Sequence, residues 1–356
     1  MRHVVPVLVL LALPACHGEP TPRPPTTVAS EPTAPVAPPP DVAPVAEGPR
    51  VAPYEVHEWG LVDVSAQGIE VAAGPGRPTE PDVPMPVRKP VLYFHRDGTA
   101  PLDVTVTVRL PHGRLLEHLP VAEAAASELR WQRVRVGAEG CGAVSREAGA
   151  DRDRSPARAA PRRIACRSED GICELPELPR YVSEDADCLD VGGVPARLLF
   201  YRGSATGLAL PLGLRRGTGL DVVLEGSGPS SGAVGTVMRI RRSSPSAIEL
   251  ARVEAPAVGA TLVLPKPTAR VDVARERRLL AEALESRGLS PGEARAFVGA
   301  WSASLFEGEG PSTDAIVYFL PEADIASIAE LGLTPAPRAL RRVMMVRVDV
   351  STAHGP

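Results

Sequence analysis

The sequence predicts an α+β chain that is mostly β, with antiparallel sandwich-like sheets and a C-terminal helical hairpin layer. Three observations predict it. From Leu102 to Leu110 the residues Leu102, Val104, Val106, Val108 and Leu110 alternate with Asp103, Thr105, Thr107 and Arg109, the signature of a strand with one buried and one wet face. Similar short runs recur between Gly- and Pro-containing turns as far as Leu264, the spacing of an antiparallel sandwich or barrel-like sheet. After Pro267 the apolar period becomes helical.

The N-terminus reads as an address. In residues 1–15, a signal peptide by this reading, Arg2 precedes the apolar run from Val4 to Leu13, which is too short to cross a bilayer. Leu13-Pro14-Ala15-Cys16 resembles the bacterial lipobox, which implies lipidation at Cys16 and a lipid-anchored membrane protein of the cell envelope. Two or three acyl chains on one cysteine hold firmly where a single chain does not. His17, rather than an aspartate, follows; by resemblance to the usual sorting signal this leans towards the outer membrane in a host that has one. Residues 16–53 form a Pro-rich disordered tether, with twelve prolines among the 35 residues from Glu19 to Pro53. Such a segment buries too little apolar surface to fold and, extended at ~3.1 Å per residue, reaches on the order of 100 Å.

The β-rich domain spans 54–267. Its strands are expected at Tyr54–Val64, Val91–His95, Leu102–Leu110, Leu115–Leu119, Leu129–Val136, Arg197–Tyr201, Asp221–Glu225, Ala233–Ile240, Ala247–Val253 and Thr261–Leu264. Residues 268–350 form an α+β part packed on it, and 351–356 a tail. Asp272–Arg287 carries Val273, Leu280, Ala283 and Leu284 at helical spacing. Ser290-Pro291-Gly292-Glu293 is a capping box with proline at the first helical position. It opens a second helix whose stripe is Ala294, Phe297, Val298, Trp301 and Leu305. A strand (Ala315–Leu320), a short helix (Glu322–Leu331) and a last strand (Arg342–Val350) follow.

Several runs resemble segments of a family of uncharacterised exported bacterial proteins. They are Val56-His57-Glu58-Trp59-Gly60, Lys89-Pro90-Val91-Leu92-Tyr93-Phe94, Leu129-Arg130-Trp131 and Leu199-Phe200-Tyr201-Arg202-Gly203. The run from Gly292-Glu293-Ala294 to Trp301 and Phe306, and the ending from Leu333-Thr334-Pro335-Ala336-Pro337 to Arg342-Val343, are similar too. The cysteine insert and Ser312-Thr313-Asp314 depart from the family pattern. The resemblance implies the limits of the domain and carries no catalytic role.

Besides Cys16 there are four cysteines, Cys141, Cys166, Cys173 and Cys188, an even number that suits disulfides in an exported chain. Cys141–Cys188 is expected to close the base of an insert at 138–190 and Cys166–Cys173 to pinch its tip; a zinc site is the rival, against which no CxxC pair is present. The insert carries Arg146, Arg152, Arg154, Arg158, Arg162, Arg163 and Arg167. It lacks interleaved aromatic residues for stacking bases and reads as a solvated loop. The whole-chain charge of -4, from 39 Lys plus Arg against 43 Asp plus Glu, excludes a general electrostatic grip on nucleic acid.

The chemistry-bearing residues are few. On the first strand Glu55, His57 and Trp59 share one face and Glu58 points the other way, so Glu55 with His57 is the pair able to act as a general acid/base or metal site. A hydrogen-bonded structural histidine is the plainer reading of His57. His95, His112 and His118 fall at strand ends or turns, where exposed histidine is unremarkable. Asp185, Asp187 and Asp190, with Glu184, crowd ahead of Gly192-Gly193; they offer carboxylates for Ca²⁺ but break the EF-hand pattern and read first as a solvated acidic turn. Gly228-Pro229-Ser230-Ser231-Gly232 spells a nucleophile elbow without the following helix, and reads as a hairpin loop. No cofactor is expected, with Ca²⁺ or Zn²⁺ as the alternative.

The sequence therefore points to a cell-envelope lipoprotein acting as a binding or structural module. Its expected partners are the membrane, through the lipid, and another envelope protein or a cell-wall polymer. The alternative is an exported hydrolase or metalloenzyme centred near Glu55 and His57.

Overall fold

A computed structural model describes residues 52–64, 85–141, 162–163, 181–217, 221–228, 233–244, 247–307 and 313–350. The signal segment, Cys16, nearly all of the tether, Cys166, Cys173 and the tail lie outside the described residues.

In chain order the first strands are β1 (Ala52–Val64), β2 (Met85–Arg96), β3 (Leu102–Arg109), β4 (Gly113–Leu119), β5 (Glu123–Ala124) and β6 (Glu128–Val136). Then come β7 (Arg162–Arg163), β8 (Leu189–Val191), β9 (Val194–Ala196), β10 (Leu199–Ala205), β11 (Leu212–Arg216) and β12 (Val222–Gly226). After β13 (Thr236–Ser244), β14 (Ala247–Glu254) and β15 (Thr261–Leu264) the helices α1 (Val273–Glu285) and α2 (Pro291–Ser302) follow, the latter running into a π turn at Ala303–Glu307. The chain continues through β16 (Thr313–Phe319), α3 (Glu322–Ile328), β17 (Glu330–Thr334) and β18 (Pro337–Asp349). The expectation of a mostly β, α+β fold with a C-terminal helical hairpin is met.

A nine-stranded sheet, ordered β14-β13-β16-β18-β1-β2-β10-β4-β7, forms the middle layer. At its centre β1 pairs with β18 in parallel, from Ala52 opposite Pro337 to Val64 opposite Val348. The other strand ladders among the described residues are antiparallel. β1 begins at Ala52, two residues before the expected start, because this ladder captures the end of the Pro-rich segment.

Strand alternation divides the core. On one face Trp59, Leu61, Tyr93, Phe200, Val317 and Met345 pack against Leu280 and Leu284 of α1 and Phe297 and Trp301 of α2. The opposite face is shared by two smaller sheets. Val62, Val64, Met344 and Val346 meet the three-stranded sheet β11-β12-β15. Tyr54, Val56, Leu92 and Phe94 meet the sheet built from β17, β3, β6, β8 and β9 with β5 on its flank. Burying apolar surface on both faces is what lets the central strands read as near-continuous hydrophobic runs.

The helical layer is fixed at its ends. Asp272 caps α1, accepting from the Ala274 N–H at 3.0 Å, and the capping box expected at Ser290–Glu293 is present on α2. Two differences from the sequence reading have clear causes. The helix expected at 322–331 stops at Ile328, since Leu331 and Leu333 alternate and supply β17 to the open edge of β3. The strands on either side of Gly228–Gly232, β12 and β13, belong to different sheets instead of pairing as the expected hairpin. Residues 229–232 themselves lie outside the described set.

Cys141 and Cys188 form a disulfide with Cα atoms 5.7 Å apart, closing the base of the insert as expected. It clasps the end of β6 to the start of β8, which are neighbours in the sheet.

Candidate functional site

Odd-numbered residues of β1 face the helices, and so do odd-numbered residues at the end of β2. The antiparallel register sets Glu55 opposite His95 and His57 opposite Tyr93. His57 and His95 are therefore diagonal neighbours on one face, with ring centroids 4.5 Å apart. Trp59, next along that face, meets the Phe297 ring edge-on at 5.2 Å. That contact lays the first turn of α2 over the two imidazoles.

Glu293 arrives there as the third residue of α2. Its N–H donates to Ser290 Oγ at 3.2 Å, and the Ser290 N–H donates to its Oε2 at 2.8 Å, the reciprocal bonds of a capping box. Oε2 also lies 2.8 Å from His57 Nδ1, and Oε1 lies 2.7 Å from His95 Nε2. The side chain is fully buried. Burial pushes this carboxyl's pKa up, but hydrogen bonds and charge from His57 and His95 outweigh it and hold the value at about 2. Burial likewise opposes the charge on His95, yet its bond to Glu293 and the nearby carboxylates raise its pKa on balance.

The outer nitrogens have partners of their own. His57 Nε2 is 3.5 Å from Glu55 Oε2, and the other Glu55 oxygen binds Arg338, which also binds Asp97. Arg338 first, against some desolvation, lowers the Glu55 pKa. The main chain of Asp185 lies on the other side of His95 and adds slightly to the upward shift of its pKa. The Asp185 side chain accepts the Gly292 N–H at 2.6 Å. At Gly292 a Cβ would lie 2.4 Å from that carboxylate oxygen, so only glycine admits this contact.

Glu55 and His57, paired by the sequence reading, are thus brought together. The acidic run is parcelled out instead. Glu184 binds Arg295 at 3.0 Å, Asp187 binds the Arg96 guanidinium at 3.0 Å, and Asp190 accepts the Gly193 N–H at 2.8 Å. Among the described residues these carboxylates do not form a group of three converging ligands, whereas His57, His95 and Glu293 do, with ligand atoms within 4.8 Å of one another. His95, read as an ordinary strand-end histidine, is a member of the cluster. His118, placed with the exposed histidines, is 1% exposed on β4, because that strand lies inside the nine-stranded sheet. Glu293 was legible only as a cap.

Two other features are separate from the cluster. On the far face of β1, buried Glu58 accepts from Tyr201 Oη at 2.6 Å and from Arg342 Nε at 2.5 Å, between the two smaller cores. A cavity of about 260 Å³ beside Arg287, Phe319 and Glu322 includes none of the cluster residues.

No protein-family model matches the chain, and no curated protein does.

Proposed function

We propose that the protein is an exported, lipid-held component of the cell envelope whose β-rich body acts as a binding or structural module at the end of a Pro-rich stalk. The observation that carries this reading is the Cys141–Cys188 disulfide, since such bonds persist in oxidising compartments and are rare in the cytosol. The apolar run from Val4 to Leu13 ahead of Cys16 and the resemblance to exported bacterial proteins support the same location. Fatty-acid labelling of the full chain in cells tests it. Label and membrane residence should be lost in Cys16→Ser; a variant processed and retained like wild type overturns the anchor.

A second reading, an exported hydrolase or metalloenzyme near Glu55 and His57, is favoured by one observation. His57 meets a carboxylate from a remote helix at 2.8 Å, a pairing able to serve as a general acid/base or metal site.

A further inference from the structure

The outer bonds of His57 and His95 determine what their inner nitrogens can do. A ring nitrogen held as a donor by an outer acceptor leaves the opposite nitrogen with a free lone pair, which is how metal-binding histidines are set. Here the Glu55 carboxylate stands 3.5 Å from Nε2 of His57 as a charge partner, so that ring can carry its proton on the outer side. Both inner nitrogens then point at one carboxylate, at 2.8 Å and 2.7 Å.

We propose that His57 Nδ1, His95 Nε2 and the Glu293 carboxylate are a mononuclear site for a borderline divalent transition-metal ion, with Zn²⁺ the representative. The inference rests on the second functional reading only for the place of the site, and it requires no turnover.

The donor chemistry selects the ion. Two imidazoles and one carboxylate suit Zn²⁺ and its neighbours, while Ca²⁺ and Mg²⁺ take oxygen ligands. The ligand atoms already lie within 4.8 Å of one another, and bonds of ~2.0–2.2 Å to a shared ion require the two imidazole nitrogens to draw together as the present hydrogen bonds part. The ligands come from β1, β2 and the first turn of α2, rigid elements that hold a site better than loops. On binding, each inner nitrogen gives up the proton it shares with Glu293, and each neutral ring carries its one proton on the outer nitrogen. Any second ring proton leaves to solvent. Three protein ligands leave a coordination position for water, as in sites that are not purely structural. The His95 side chain, 21% exposed, marks the side from which ion and water enter.

The rival is a proton-only clasp, in which the histidines merely hold Glu293. Zn²⁺ and Co²⁺ titration of the mature full chain, stripped by chelator and followed by calorimetry and by visible Co²⁺ absorption, separates the two. Wild type and His112→Ala, which alters an exposed histidine outside the cluster, should bind one ion per chain. His57→Ala and His95→Ala should lose about 100-fold or more in affinity. Zn²⁺ should also protect wild-type His95 from diethyl pyrocarbonate, a readout that does not depend on any variant folding. A folded wild type that takes up no stoichiometric ion, or His95→Ala binding as wild type does, overturns the site. One bound ion without hydrolysis of ester, amide or phosphoester probes upholds the site and counts against the hydrolase alone.

Discussion

His57 reaches Glu293 across 236 positions of sequence, its Nδ1 2.8 Å from Oε2. The contact ties the central strand of the large sheet to the first turn of the second helix. It joins an element from the start of the body to one near its end, so the cluster exists only once both are packed.

Glu293→Ala should destabilise the metal-free chain by about 3–5 kcal/mol. It removes the partner of two buried or half-buried imidazoles and opens the capping box. Urea unfolding by far-UV circular dichroism checks this. A loss below about 1 kcal/mol would mean that the helix docks by apolar packing alone.

Stability of the metal-free protein should show a plateau between about pH 4.5 and 6.5. The Glu293 pKa falls from 4.5 to about 2 on folding, so its contribution, about 3 kcal/mol, is present above 4.5 and is lost as pH drops towards 2. The His95 pKa rises from 6.5, so its contribution is complete below 6.5 and is lost as pH climbs through the folded value. Denaturation midpoints in chelator across pH 2–9 test both limbs, and Glu293→Gln should flatten them.

Arg342→Met should cost about 3–5 kcal/mol, since buried Glu58 would lose its cationic partner. The double change Glu58→Leu with Arg342→Met should cost less than the sum of the single changes. Tyr201→Phe, which removes one bond to Glu58, should cost about 1–2 kcal/mol. A double-mutant cycle by chemical unfolding measures the coupling.

Cys188→Ser should lower stability by up to about 4 kcal/mol in the chain-entropy account of disulfides, since the bridge spans 47 residues. Comparing wild type with and without reductant gives the same quantity independently.

How far the sequence announced all this varies with the range of the interaction. β3 was readable to within a residue, because alternation is local and one of its faces is wet. The capping box on α2 was readable for the same reason, being four consecutive residues. The parallel pairing of β1 with β18 was not, since nothing near Ala52 encodes a partner at Pro337. The start of β17 reads as the end of the preceding helix because its alternation, Leu331 with Leu333, runs for only five residues. The cluster falls between these cases. His57 stood out beside Glu55, but His95 required the hairpin-like register of β1 and β2. One clue was available: His95 lies two residues past Tyr93, on the same side as Trp59 and His57 once those strands are paired. Glu293 had already been given a sufficient local role as a cap, which concealed its long-range one.

The most direct measurement is a long-range ¹H–¹⁵N spectrum of the imidazoles in metal-free protein at pH 6. The expected result is two downfield, exchange-protected ring protons, on Nδ1 of His57 and Nε2 of His95, both displaced in Glu293→Gln. Two rings with solvent-averaged protons, indifferent to that substitution, would contradict the convergence of both histidines on Glu293.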